Sequence, residues 1–324
     1  MDNNSLYTCR ICLNSKANIS YLAKEMMLGT KDEFVYFQCS KCNCLQIAAF
    51  PEHISSYYPA DSYYSFSSHK NKKLKGLKGT VKKLIVQSNV LPNSPFRQAI
   101  KLLFSDMKLD FLAGVVKSSQ DRILDVGCGN GMKFLYPLFE SGFKNVLGCD
   151  PFVEDNIQYP SGLKIVKKDL FKVENRWDII CFNHSFEHID NPLQTLQKTN
   201  ELMDDEGCCI IRIPTSSSYA WRHYRTNWFQ LDAPRHTFLH SVESIEHLAN
   251  QTGFLLEDVV YDSTHHQFTI SERYKSGKTM KERTYNSPSG KLAHTFRKFS
   301  YAAEAKRRNK MKDGDQAIFY LRKK

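Results

Sequence analysis

At 324 residues, with 41% hydrophobic and 24% charged side chains, the chain has the make-up of a globular protein large enough to bury a full core. It holds no run of 18 or more apolar residues, which excludes a membrane-spanning helix, and no basic-then-apolar leader in its first twenty residues, so a cytoplasmic location is expected. The formal net charge of +11 favours anionic partners such as nucleic acid, nucleotide-linked substrates or an anionic membrane surface, without choosing among them.

The first organised segment is cysteine-rich. "CRIC" (9–12) and "CSKC" (39–42) form two C-x2-C pairs, and a two-residue gap lets two thiolates on one tight turn bind the same ion. Cys9, Cys12, Cys39 and Cys42 are therefore predicted to hold a structural Zn2+, with Cys44 as a spare that could replace Cys42. Between the pairs, "FVYFQ" predicts a short strand, as in a zinc ribbon. Paired disulfides are disfavoured in a reducing compartment, and a redox dithiol needs only one C-x-x-C. Cys128, Cys149, Cys181, Cys208 and Cys209 read instead as small buried hydrophobes in or beside strands.

After "FPEHISSYYPADSYYS" the chain turns polar, with seven lysines between residues 70 and 83. Such a run is most often a solvated face, and contact with anionic lipid or a lipid-linked glycan is the sharper alternative. Apolar residues Ile100, Leu103, Phe104, Met107, Phe111 and Val115 predict a helix over 99–116. The predicted organisation is a zinc-binding module at 1–66, a basic helical connector at 67–118 and an α/β domain at 119–324.

From residue 122 strands and helices alternate, the pattern of a parallel sheet covered on both faces. "RILDV" predicts the first strand, and it runs into a loop carrying Gly127, Gly129 and Gly131. Phosphate loops and nucleoside loops both need such glycines. Asp125 separates the two. A carboxylate about 4 Å from an anionic pyrophosphate costs ~4 kcal/mol at an effective dielectric near 20, whereas a cationic ligand is attracted to it. S-adenosylmethionine, with its sulfonium and α-ammonium groups, suits Asp125. "NVLGCD" (145–150) ends a second strand on Asp150, about where a carboxylate can take both ribose hydroxyls. A third strand lies within 162–171 and ends near Asp169, a fourth begins "RWDIICFN", and a fifth is "GCCIIRIP" (207–214), entered through an acidic turn. "FLLEDVVYDS" and "DQAIFYLRKK" predict the sixth and seventh, separated by an expansion at about 264–313 that includes a basic helix near 291–312.

These residues, in this order, resemble the class I S-adenosylmethionine-dependent methyltransferases over roughly 120–262. The resemblance implies a Rossmann-like sheet of seven strands, six parallel and the last antiparallel. It also implies that Asp125, Gly127, Cys128 and Gly129 hold the methionine moiety, Asp150 the ribose, Asp169 and Leu170 the adenine, with Asn183 bordering the pocket. One departure is "PFVEDNIQYPSG" after Asp150, too short for a full second helix. The cysteine module, "YYPADSYYS", "HSFEHIDNPLQTL", "SERY" and "GDQAIFYLRK" are similar to segments of a bacterial family from surface-polysaccharide and deoxysugar pathways. Its sugar C-methyltransferase branch usually carries a further C-terminal domain, which this chain lacks, so O-methylation of a nucleotide-linked or glycan sugar is the expectation. An RNA methyltransferase is the competing one. It is disfavoured because "NHSF" is not the Asn/Asp-Pro-Pro-aromatic tetrad that often goes with base N-methylation.

A sugar hydroxyl is a poor nucleophile near neutral pH, so a positioned base should help by ~10²–10⁴-fold. His184, directly after the fourth strand, is the first candidate, followed by His236 in "DAPRH" and His188, which with Glu187 is predicted to start a helix. Arg235 is a candidate for a phosphate or carboxylate. Trp221, Tyr224 and Trp228 read equally as sugar-stacking faces or as core. Oligomeric state is not legible.

Overall fold

The computed structural model describes residues 7–58, 76–92, 109–282 and 288–324. In chain order its strands and helices begin with β1 (Ile19–Lys24), β2 (Glu33–Gln38), β3 (Leu45–Ile47) and α1 (Gly76–Val90). Then come β4 (Ile123–Val126), α2 (Leu135–Glu140), β5 (Val146–Cys149), β6 (Ile157–Gln158), β7 (Lys164–Val166), β8 (Trp177–Asn183) and α3 (Pro192–Leu202). The last part holds β9 (Met203–Pro214), α4 (Tyr219–Tyr224), β10 (Phe238–Leu239), α5 (Val242–Gln251), β11 (Phe254–Tyr261), α6 (His266–Lys275), α7 (Pro288–Lys310) and β12 (Gln316–Lys323).

The large sheet has the order β11-β12-β9-β8-β4-β5-β7-β6. It has eight strands where seven were expected. The extra one is β6, two residues antiparallel to β7, formed by the stretch after Asp150 that was too short for a helix. β4 lies parallel to both β5 and β8, so the chain steps outward from β4 on one side and then reverses to the other. That reversal makes the carboxyl end of β4 a topological switch point, where open α/β sheets bind ligands. "ILDV" is buried along its whole length, as expected for a central parallel strand covered on both faces. α2 answers it with Leu135, Tyr136, Leu138 and Phe139 buried.

The acidic turn expected before the fifth strand is instead part of it. β9 begins at Met203, and Arg122 ties Asp204 to Asp178 across neighbouring strands. Of the helix expected over 99–116, residues 99–108 lie outside the described part, and 109–116 form only a 3-10 turn, Asp110–Leu112. Of the lysine run, 76–83 lie on α1, and the preceding residues lie outside the described part.

The chain divides into two compact units. Of the described residues, one holds 7–58, 186–193, 212–282 and 288–319; the other holds 76–92, 109–185, 194–211 and 320–324. In the first unit the cysteine segment forms no separate ribbon. Its strands make a sheet ordered β1-β2-β3-β10, with Phe238 opposite Gln46 and Leu239 opposite Leu45. Tyr36, Leu45 and Ile47 of that sheet share a core with Trp221, Trp228 and Leu239. Trp221, Tyr224 and Trp228 are thus core residues, and the sugar-stacking alternative falls away.

Candidate active site and metal centre

Three strand ends in the second unit build the switch-point site. β4 delivers Asp125 and the glycine loop, β5 delivers Asp150, and β8 delivers Asn183 and His184. Asp150 braces the loop directly: its Oδ2 accepts a hydrogen bond from the Gly129 N–H at 2.8 Å, and its Oδ1 accepts one from Phe152 at 2.8 Å. Gly127, at φ +70°, is required as glycine, because a Cβ there would stand 2.5 Å from Ser185 Cβ. Ser185 in turn donates to the Val126 carbonyl at 2.6 Å, which fixes the segment 183–185 against the loop. His184, between them, adopts a left-handed φ of 57° and is half-buried.

Asp125 is buried, and its Oδ1 has no hydrogen-bond partner among the described residues. Burial, and then repulsion from the Asp150 carboxylate, push its pKa well above the ordinary carboxylate range. Two carboxylates held together at a strand-end crevice form a site that a cationic ligand would relieve. The donor chemistry therefore fits the sulfonium and ammonium groups of S-adenosylmethionine. Cys128 borders the same loop, with Sγ packed where a Cβ on Gly148 would be 2.5 Å away. Asp169 caps the 3-10 turn Leu170–Lys172 by accepting from the Lys172 N–H at 3.1 Å, with Leu170 buried beside it. A cleft of about 500 Å³ lined by Arg176, Asp178, Asp204 and Arg322 lies at the amino ends of β8 and β9, the opposite end from this chemistry.

The other two histidine candidates lie in the first unit and His184 in the second. His188 ends a 3-10 turn, Phe186–His188, so it and Glu187 start no α-helix. His236 is buried, and burial, then the neighbouring His188, push its pKa down. The two rings meet edge to face with centroids 4.8 Å apart. Arg235 is not available for a substrate anion. Its guanidinium is buried and committed to Asp232 at 2.5 Å and Glu25 at 3.0 Å.

Cys9, Cys12, Cys39 and Cys42 bring their sulfurs within 4.8 Å of one another. The Cys9–Cys42 and Cys12–Cys39 separations of 3.6 and 3.5 Å approach the ~3.8 Å edge of a tetrahedron with ~2.3 Å metal–sulfur bonds. Main-chain N–H groups of Ile11, Lys41 and Cys42, and the Gln46 amide, point at Cys9 and Cys39 sulfurs, as around a thiolate that carries negative charge. The Cys42 sulfur, 3.6 Å away, holds the Cys9 thiol below its ordinary pKa. The cluster is compatible with zinc. Cys44 stands outside it, buried, with Sγ toward the Leu45 carbonyl. The remaining five cysteines form no disulfide among the described residues, and all but Cys128 are buried, as expected of small hydrophobes.

A protein family described as a methyltransferase domain matches residues 97–259, about half of the chain. A comparison with curated proteins gave no match. Solved structures similar to this chain include an S-adenosylmethionine-dependent methyltransferase from Thermotoga maritima, 16% identical, covering 76% of this chain and 92% of that one at a TM-score of 0.40. A second, from Archaeoglobus fulgidus, is 18% identical and covers 70% of this chain and 94% of its own at a TM-score of 0.39. Magnesium protoporphyrin IX methyltransferase from Synechocystis is 13% identical, covering 86% and 99% at a TM-score of 0.39. The glycine loop with its two strand-end aspartates lies inside the matched segment, and the chain accordingly belongs to the methyltransferase-domain family.

Proposed function

We propose that this enzyme methylates a hydroxyl of a sugar, carried on a nucleotide or within a surface glycan, with His184 as the general base. The observation that carries the methyl-transfer half is the buried Asp125–Asp150 pair at the switch point. The acceptor half rests on the resemblance of the flanking segments to a sugar-pathway family and on the net charge of +11, which suits an anionic sugar carrier.

When bound, S-adenosylmethionine supplies an electrophilic methyl group on a sulfonium. Asp125 is the residue to balance that positive charge, Asp150 is the one to orient a ribose, and Asp169 with Leu170 the adenine. Asn183 borders the same crevice from β8. Gly127 and Gly129 keep the main chain bare enough for close approach. His184 follows β8 beside the segment that Ser185 holds against the glycine loop, which supports its assignment as acceptor of the hydroxyl proton. The four cysteines serve as a structural zinc site that organises the first unit.

The test is turnover of methyl-labelled S-adenosylmethionine with a panel of nucleotide sugars, reading the product by carbon-13 NMR. A methyl bonded to oxygen supports the reading. A methyl bonded to carbon moves the enzyme to sugar C-methylation, and label transferred only to ribonuclease-sensitive material moves it to RNA.

A further inference from the structure

Glu187, His188 and His236 each place one potential ligand atom within 4.8 Å of the others. All three belong to the first unit. Both imidazoles are anchored through the same ring atom. His236 Nδ1 lies 2.7 Å from the Gln230 carbonyl oxygen, and His188 Nδ1 lies 2.7 Å from the Arg235 carbonyl oxygen. A carbonyl oxygen can only accept, so each Nδ1 carries the hydrogen and each Nε2 keeps its lone pair. A metal-binding histidine is typically held this way, with the far nitrogen bonded to a carbonyl so that the near one is aimed.

The aim of His236 is toward carboxylates. Its Nε2 is 3.9 Å from Glu187 Oε1 and 3.8 Å from Asp232 Oδ2. Both gaps are too long for a hydrogen bond, and slightly wider than the ~3.4 Å edge of a tetrahedral site with ~2.1 Å bonds. Charge points the same way. Arg235 is already shared between Asp232 and Glu25, and the Glu187 carboxylate is itself buried.

We propose that Glu187, His188 and His236 form a second metal site, distinct from the four cysteines, with Asp232 at hand as a further oxygen donor. Two imidazole nitrogens and one carboxylate select a divalent transition ion such as zinc, iron, cobalt or nickel over magnesium or calcium. Three protein ligands leave a tetrahedral ion one open position for an oxygen donor.

The proposal does not rest on methyl transfer, and its test reads metal alone. Chelator-treated protein is titrated anaerobically with cobalt(II) and followed by visible absorption and metal analysis. Cysteine-bound cobalt gives an intense sulfur-to-metal charge-transfer band, whereas a nitrogen and oxygen site gives only weak ligand-field bands. Wild type should take up one equivalent without the charge-transfer band, beside any that has it. His236→Ala and, separately, Glu187→Gln should lose that equivalent and keep the sulfur band, with folding checked by circular dichroism. Wild type that binds cobalt only with the sulfur signature overturns the site, whatever the variants do. So does a folded His236→Ala protein that retains the second equivalent.

Discussion

Leu13 and Asn43 are structural equivalents thirty residues apart. Each follows the second cysteine of its C-x2-C pair, each adopts a left-handed φ, 59° and 56°, and each donates its N–H to the carbonyl of the first cysteine at 3.0 Å. The two cysteine pairs thus close by the same turn, and sequence identity is not what makes them alike. Asn adopts this backbone more readily than Leu, since the left-handed region costs ~1–2 kcal/mol for an ordinary side chain. Leu13 is also 77% exposed, so its side chain contributes little burial. Leu13→Asn should raise stability by about 0.5–1 kcal/mol and Asn43→Leu lower it by a similar amount, read as urea midpoints at constant metal content. A Leu13→Asn protein no more stable than wild type would show that the turn is not strained.

Metal removal should reach well beyond the cysteine segment. Ser241 Oγ donates to the Cys42 carbonyl, and Ser216 Oγ donates to the Asn43 carbonyl at 2.9 Å. Trp221 Nε1 donates to Gln38 at 3.1 Å in the same unit. A chelator that releases about one zinc per chain is therefore expected to change the fluorescence of Trp221 and Trp228 and to lower the melting temperature of that unit. Cys39→Ser should reproduce both effects without chelator. Metal loss that leaves tryptophan emission unmoved would mean that the segment folds as an independent module.

Cofactor affinity should depend on the loop brace and on the bare glycine. Asp150→Ala removes the acceptor for the Gly129 N–H, and Gly127→Ala drives a Cβ into Ser185. Each should weaken S-adenosylhomocysteine binding by at least ~10-fold, which corresponds to ~1.4 kcal/mol, in calorimetry. Affinity equal to wild type in both variants would remove the site from this crevice.

His184→Ala should lower kcat by ~10²-fold or more and leave S-adenosylhomocysteine affinity nearly unchanged, because a base contributes to proton transfer and not to cofactor binding. Near-normal turnover in His184→Ala, with the loss appearing in His188→Ala instead, would move the role to His188.

What was legible in the sequence was local. Strand ends marked by Asp125, Asp150 and Asn183 could be read because alternation and turn residues act within a few positions. The C-x2-C pairs could be read because two thiols on one turn act locally too. The pairing of Leu45 with Leu239 could not, since β10 is two residues long and carries no periodicity of its own. The same blindness made Arg235 look available: its partner Glu25 lies 210 residues away in the chain. Trp221 and Trp228 were ambiguous because an indole buries or stacks with equal ease, and only tertiary packing decides.

Asp315 gives the first unit a pH-dependent stability that can be isolated by one substitution. Its carboxylate is buried and accepts a hydrogen bond from Trp228 Nε1 at 3.0 Å. Burial pushes its pKa up to about 6, against the bonds from Trp228 and Ser263. An unfolded chain holds such a proton only below ~3.9, so between ~4 and ~6 the native state binds more protons than the unfolded one. Stability from this group is therefore fully present below ~4 and is lost as pH rises through about 6, at ~1.4 kcal/mol per pKa unit. By neutral pH the loss is about 3 kcal/mol. Asp315→Asn keeps an acceptor oxygen for Trp228 and carries no charge to lose. The variant and wild type should show similar melting temperatures near pH 4.5, and the variant should melt several degrees higher at pH 7.5. Parallel curves across that range would show that Asp315 is ionised in the native state at every pH tested.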